Sequence, residues 1–578
     1  MRLLPRYHRT VKFAVLALAA LHAAVFGFYT CLQHERFRTF AYDLGTFDQG
    51  IWLAGQGGDL FVTVRGLHLL GDHVRLFSFV LAPLYWAWDD VRALLVLQSV
   101  VIAAGAFFLA RLASRELPGR PWLVLALVAG YLLHPAVQNL NLDHAHPDAF
   151  ATTLLLACLD FLRAGRLLPF SIAAALAMSC KEDVPLVFVA LGFALMLDPR
   201  QRRVGAVLAA VAGTYFAMCI GVILPAFNGV GFFRTGSRGF FAGLGSHAMD
   251  PSWLLARLFR PESADYLFSL GAPNLFLFLL SPLSAVPALP ALAANLLSDA
   301  SYPRDLHYHY QTSILPFLYL ATIDTLARFQ RARDDEKPQA SDGRGSRWSS
   351  ALLFALPALL FAAALAANAR WSRLPLPEVP AKIREAAASL KSDQRIARLH
   401  RLVDGIPADA VVSAHYTLVP HLSHRRGIYL FPNPFEVSEW GIAGEHPHDP
   451  ESVDYIFVQD ALGHERATPM AATIAERYGL EPIERDNWVA LYARPLPAAD
   501  ATCGDWDGDG SIDAEDQRRI GAAVLRSRGC PLHVCDADGD GAVRAADVMR
   551  IGKRVGDPAA MLRCPPRRPG PERPAAMR

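Results

Sequence analysis

Two sets of residues in this chain have types and spacings suited to chemistry. The first is an acidic repeat near the C-terminus. Asp505, Asp507, Asp509, Gly510, Ser511 and Asp516 recur, on moving from 505 to 536, as Asp536, Asp538, Asp540, Gly541, Ala542 and Asp547. Carboxylates at loop positions 1, 3, 5 and 12 surround a hard cation with oxygens, glycine at position 6 permits a sharp turn, and the residue at position 7, here Ser511 or Ala542, offers its carbonyl. Calcium is the expected metal, one ion per loop. An acidic solvated linker would account neither for the glycines nor for Ile512 and Val543 at matching positions.

The second set is dispersed: Tyr42, Asp43 and Asp48; Asp72 and His73; Asp143, His144, His146 and Asp148; Lys181, Glu182 and Asp183; Asp299, His307 and His309. Each group stands between apolar stretches, where ionisable side chains are costly and tend to be kept for a site. A carboxylate there can take a proton, a lysine can offset an anion, and histidine with aspartate can hold a divalent metal. Simpler roles compete. Asp43 could cap a helix beginning near Leu44, Lys181 and Glu182 could form an internal ion pair, and His307 to Tyr310 could anchor an interfacial aromatic belt.

The elements that carry these residues are apolar. Of 578 residues 53% are hydrophobic, and runs such as Phe13 to Tyr29, Ala93 to Ala110, Val204 to Pro225 and Ala351 to Ala367 are long enough as helices to cross roughly 30 Å of hydrocarbon. A net charge of +2, with Lys and Arg gathered in short loops, excludes a nucleic-acid partner. The basic loops are the N-terminus, 111–120, 163–166, 200–203 and 328–347. Placing all of them on the cytoplasmic side requires spans near 11–30, 92–112, 121–135, 149–163, 167–180, 184–197, 204–225, 266–281, 283–297, 313–327 and 349–368, about eleven crossings, with the C-terminus outside. Val74 to Trp88 reads as an interfacial helix, and the first apolar run as an uncleaved span.

The expected fold is thus an α-helical polytopic membrane domain over 1–370, a small external α/β domain over 380–497, and a paired EF-hand-like calcium module over 503–557. Short runs rich in β-branched and aromatic residues at Ala410 to Ser413, Ile428 to Phe431, Tyr455 to Val458 and Trp488 to Ala493 supply the strands of the second. Cys503, Cys530, Cys535 and Cys564 cluster in the polar tail, predicting two disulfides in an oxidising compartment, with three pairings open.

The motif from Tyr42 through Gln49 with Trp52, together with Asp72-His73, His146-Pro147-Asp148, Lys181-Glu182-Asp183-Val184-Pro185, His309 to Pro316 and Ala414 to Pro432, resembles the bacterial membrane family of domain of unknown function 2079. That family is similar in turn to polytopic glycosyltransferases of the C-type fold, which take a sugar from a polyprenyl-phosphate donor at the outer face of the membrane. The resemblance implies a bacterial inner-membrane protein with a periplasmic or extracellular C-terminus, whose partners are membrane lipid and a lipid-linked sugar. In those enzymes an Asp or Glu of the first external loop acts as general base or orients a metal, and Asp43 occupies the corresponding place. By residue type, Asp48 and Glu182 are further candidate catalytic carboxylates, Lys181, His146 and His309 are candidate substrate contacts, and a divalent metal held by His and Asp is a second expected cofactor at this site. Arg304 is another cation for the departing phosphate. A transporter or flippase and a non-catalytic anchor are the rival readings.

Residues 503–557 resemble a type I dockerin, because position 12 is Asp and only the helix after each loop is apparent. This implies a cohesin-like protein partner, although loop positions 10 and 11 are Ala514-Glu515 and Ala545-Ala546, where cellulosomal dockerins often carry Ser-Thr.

Overall fold

The computed structural model describes residues 5–229, 247, 249–336, 345–436, 449–460, 467–495, 497, 501–525 and 530–565. They divide into two units. One runs to Arg398 and takes in Tyr416–Arg426, and the other comprises Leu399–His415 and the described residues from Gly427 onward. The division therefore falls beyond residue 380, and an eleven-residue excursion of the expected external domain belongs to the first unit.

The first unit is helical. Among the described residues, five helices are long and apolar enough to cross a bilayer: Arg9–Glu35, Val91–Glu116, Pro121–Leu142, Arg202–Asn228 and Phe354–Trp371. Local chemistry sets their ends. Asp90 caps the second, its side chain accepting from the Arg92 amide at 2.8 Å, which satisfies a donor that the first turn leaves unpaired. The third bends at His134, because the residue before Pro135 is pushed out of the helical region, and the helix restarts with the Ala136 amide donating to His134 Nδ1.

Shorter helices lie over Ala149–Arg163, Leu167–Cys180 and Val184–Met196. At 1.5 Å per residue each reaches only about 20 to 22 Å, less than a hydrocarbon core. Val184–Met196 packs closely on Arg202–Met218, where a Cβ at Gly192 would lie 2.6 Å from the Gly205 carbonyl oxygen. The segment Phe77–Ala87 is likewise a short apolar helix. It buries Phe77, Leu81 and Tyr85 while exposing Phe79, Val80 and Trp86.

The expected spans near 266–281 and 283–297 are not continuous helices, which corrects the sequence reading. The helix Pro261–Gly271 stops before Pro273, Leu275 and Phe276 adopt positive φ, and tight helical turns then alternate with short helices through Leu297. Pro273, Pro282, Pro287 and Pro290 each remove a backbone donor, so no long ladder can form.

The first unit also holds a two-stranded hairpin, β1 (Phe61–Val62) and β2 (Leu67–His68). The second unit contains β3 (Val412–Ala414), β4 (Ile428–Leu430), β5 (Tyr455–Gln459), β6 (Glu481–Arg485) and β7 (Val489–Ala493) in the order β4-β3-β5-β7-β6. The pairs β3 with β4 and β3 with β5 are parallel, and β7 is antiparallel to both of its neighbours. Ile456, Val458, Ala490 and Tyr492 form its core with Ala471, Ile474 and Ala475 of the helix Ala467–Tyr478. Strand β6 was not anticipated from the sequence: it is a polar, largely exposed edge containing Pro482, the composition that keeps an edge from pairing further.

In the acidic repeat, each loop closes on its own first carboxylate. Asp505 accepts from the amides of Gly508 and Gly510, and Asp536 from those of Gly539 and Gly541. Gly510 and Gly541 have φ of +85° and +83°, a conformation that glycine adopts without a Cβ penalty. The helices Ala514–Leu525 and Ala545–Gly556 follow the loops and bury Ile520 and Ile551. Disulfides join Cys503 to Cys564 and Cys530 to Cys535.

Candidate functional site

Residues far apart in the chain meet where several helices of the first unit end. His146 is fully buried just before the helix Ala149–Arg163 and is fixed from both sides. Its amide donates to Gln98 Oε1 at 2.8 Å, and its Nε2 contacts the Asp143 carbonyl oxygen. His309, from the loop before the helix Leu315–Glu336, stacks on it with ring centroids 3.8 Å apart. Asp143 Oδ2 is 3.0 Å from His309 Nδ1 and 3.5 Å from His146 Nε2. Asp148 lies across both rings, its Oδ1 3.9 Å from His146 Nδ1 and its Oδ2 3.7 Å from His309 Nε2. Lys181 Nζ is 3.6 Å from the same Oδ2.

Asp43 forms the accessible edge of this cluster. It lies in a distorted turn, Ala41–Gly45, ahead of the helix Thr46–Gln56, with φ of +62°, a strained value for a residue with a Cβ. Its Oδ1 is 4.0 Å from His146 Nδ1, and its side chain is 42% exposed, whereas those of Asp143, His146, Asp148 and His309 are all buried. The helix Thr46–Gln56 has Gly45 at its N-cap and no side-chain cap, so Asp43 is not the cap of that helix.

Opposing effects set the charges. Burial would raise the Asp43 carboxyl, but His146, His309, His144 and Arg75 hold it below its ordinary value. Burial likewise works against Asp148, yet His309, Lys181, Arg75 and His146 keep it below the usual carboxylate range. Asp143 goes the other way. Burial, reinforced by Asp43 and Asp148 and only partly offset by His146, pushes it up to about 7. One carboxylate of the cluster therefore carries its proton far more readily than the other two.

The other predicted site residues lie elsewhere. Asp48 is fully buried and accepts from the hydroxyls of Tyr85 and Ser423, with His424 Nε2 at 3.1 Å. It thereby ties the segment Tyr416–Arg426 to the helix Thr46–Gln56. Glu182 is also buried; its Oε1 meets His73 Nδ1 at 2.6 Å and its Oε2 accepts from the Val74 amide. Burial opposes its ionisation, but His73, Lys181 and Arg75 hold it at about 2. Neither carboxylate offers a free face. Arg304 donates to the carbonyls of Asn295 and Ser298 and is mainly structural.

Arg75 was missed by the sequence reading. It is buried over the Phe47 ring at 4.0 Å with Nε unpartnered, and its charge acts on Asp43 and Asp148. The signal was available, since an arginine at the start of a segment assigned to the outer interface goes against the distribution that fixes topology.

The chain belongs to the family described as "Predicted membrane protein (DUF2079)", whose match covers residues 33–489. It is an integral membrane protein with a mostly helical fold. Among solved structures it is similar to ArnT from Cupriavidus metallidurans in the apo state, at 10% identity and a TM-score of 0.48 over 83% of this chain and 97% of that one. It is also similar to ArnT from the same organism bound to undecaprenyl phosphate, at 12% identity and a TM-score of 0.46 with the same coverage. No curated protein matches.

Proposed function

We propose that the chain is a membrane glycosyltransferase that takes a sugar from a polyprenyl-phosphate carrier at the external face of a bacterial inner membrane, with Asp43 as the carboxylate that receives the acceptor proton. The observation that carries this reading is the contrast within one cluster: a single half-exposed, ionised carboxylate at the edge of a buried set of charged and metal-competent groups. In the reaction the acceptor oxygen forms a bond to the anomeric carbon as its proton passes to Asp43. The anomeric carbon's bond to the phosphate oxygen breaks, and the lipid phosphate leaves as an anion. Lys181 and Arg75, whose charges both act on Asp148, would stabilise that negative charge. His146 and His309 hold the buried side of the pocket.

The test uses the full chain in proteoliposomes with a panel of labelled polyprenyl-phosphate sugars. Asp43→Asn keeps the shape but not the charge, and should lower release of lipid phosphate by at least about a hundredfold at unchanged abundance. Retained transfer in Asp43→Asn removes Asp43 from the role, and no transfer by the unmutated protein with any donor removes the reading itself.

The acidic repeat fits a second function, binding two calcium ions outside the cytoplasm. Asp505, Asp507 and Asp509, and again Asp536, Asp538 and Asp540, bring one carboxylate oxygen each within 4.8 Å of one another. A cohesin-like protein remains the partner implied by the dockerin resemblance.

A further inference from the structure

We infer that the histidine cluster is a binding site for one divalent transition metal of the zinc type, with His146 Nδ1, His309 Nε2 and the Asp148 carboxylate as ligands, Asp143 as their orienting partner, and Asp43 on the open side. The inference deepens the transferase reading by naming the cofactor of that site, and rests on it only for the metal's role in catalysis.

The argument starts from the nitrogens that are already engaged. His146 Nε2 faces the Asp143 carbonyl oxygen, and His309 Nδ1 faces Asp143 Oδ2 at 3.0 Å. The carbonyl, which can only accept, places the His146 ring proton on Nε2, and Asp143 in its ionised form does the same for His309 Nδ1; each leaves the lone pair on the other nitrogen, the arrangement by which a backbone carbonyl or a carboxylate orients a metal-binding imidazole. The two remaining nitrogens, His146 Nδ1 and His309 Nε2, both face Asp148, at 3.9 and 3.7 Å from its two oxygens. Those distances are too long for hydrogen bonds.

Two of these atoms are left without a partner. His146 Nδ1 and Asp148 Oδ1 are buried and make no hydrogen bond, a state that costs roughly 1 to 3 kcal/mol for each buried polar group. A cation between them would satisfy both. Asp143, His146 and His309 also bring one ligand atom each within 4.8 Å of one another, but Asp143 Oδ2 already serves His309 Nδ1, so its place is behind the ligands. Two imidazoles with carboxylate suit zinc and its neighbours, while magnesium and calcium prefer an all-oxygen shell. Three buried ligands with Asp43 half-exposed beside them leave a coordination position open to solvent or substrate, as in catalytic rather than structural zinc sites.

The test reads the metal without any sugar donor. Full-length protein, purified without chelator, is analysed for zinc, manganese, iron and cobalt by elemental mass spectrometry. After chelation it is reloaded with cobalt(II), whose visible absorption reports nitrogen and oxygen coordination. About one equivalent is expected, and the absorption should be lost in His146→Gln and in His309→Gln. Asp143→Asn, which leaves the ligands in place, should weaken binding by about 10- to 100-fold. Thermal unfolding in detergent checks that each variant is folded. Should the histidine variants misfold, Asp143→Asn and competition by zinc against cobalt on the unmutated chain still decide the matter. A folded chain that takes up no transition metal overturns the inference, as does cobalt binding that persists in both histidine variants. Metal binding without sugar transfer would leave the site standing and remove only the transferase reading.

Discussion

Replacing Asp48 should release the segment Tyr416–Arg426 from the helical unit, and the cost can be worked from its contacts. Asp48 is fully buried and is the shared acceptor for the Tyr85 and Ser423 hydroxyls, with His424 Nε2 at 3.1 Å. Burial would lower the His424 pKa, but Asp48 and Asp89 together raise it, so the imidazole carries charge in the pair. Removing one member of a buried hydrogen-bonded charge pair costs roughly 3 to 5 kcal/mol. Because His424 retains Asp89 at 2.6 Å and is 17% exposed, the lower end applies to Asp48→Ala, about 3 kcal/mol. Asp48→Asn keeps an acceptor and should lose about half of that. The segment retains the Ala41 amide donating to the Tyr416 carbonyl, Gln49 donating to that of Arg425, and the stack of His34 on His421, so opening should be local. Hydrogen exchange over 416–426 in the detergent-solubilised full chain should accelerate by about a hundredfold in Asp48→Ala, with little change over 91–116. Unchanged exchange in the segment, with a melting temperature within about 1 °C of the unmutated protein, would show that Asp48 does not hold it.

Three further outcomes are expected. Calcium chelation should raise hydrogen exchange through the acidic loops and their helices, because two sets of carboxylates repel one another without a cation; loops indifferent to calcium would remove that assignment. Non-reducing peptide mapping of natively expressed protein should recover Cys503 linked to Cys564 and Cys530 linked to Cys535, and four free thiols would contradict an oxidising location. Burial lowers His415 from 6.5 to about 4, so the unfolded chain binds the extra proton between those values; stability of the β-sheet unit is full above about pH 6.5 and falls by up to about 3 kcal/mol as pH drops towards 4. Exchange of β3 and β5, corrected for intrinsic pH dependence, should show this loss, and His415→Gln should flatten it.

The parts of this molecule legible in its sequence are those whose partners lie close along the chain. The acidic loops gather their carboxylates within a dozen residues, so spacing alone identifies them, and the Asp90 cap and the His134-Pro135 break are equally local. The candidate site is different in kind. Asp43, Asp148, Lys181 and His309 could be singled out by residue type in an apolar setting, but nothing in their spacing says which of them meet. Asp48 and Glu182 have the same credentials as Asp43 and are consumed by partners from segments more than a hundred residues away, His424 and His73. Asp143 stood in the sequence beside His144 and His146 as one polar residue among several, yet tertiary packing makes it the group both imidazoles lean on. The broken region from Pro261 to Leu297 was misread because its apolar content matches a span while its prolines forbid one.

The separation of roles among these acidic residues also bears on the rival readings. A transporter would gain from ionisable groups near the middle of the bilayer that bind and release in alternation, and an anchor would have no use for convergence. Here Asp43, Asp143, His146, Asp148, Lys181 and His309 come from four separate connections between helices and meet at helix ends. The partly buried polar contacts around them, Asp72 with Arg65, Glu182 with His73 and Asp48 with His424, brace the connections that present the cluster. Such bracing is costly to build and fixes geometry rather than permitting motion. Fixed geometry suits the proposed transferase, which must hold a carboxylate against the acceptor hydroxyl, better than a carrier, which must let its ligand go.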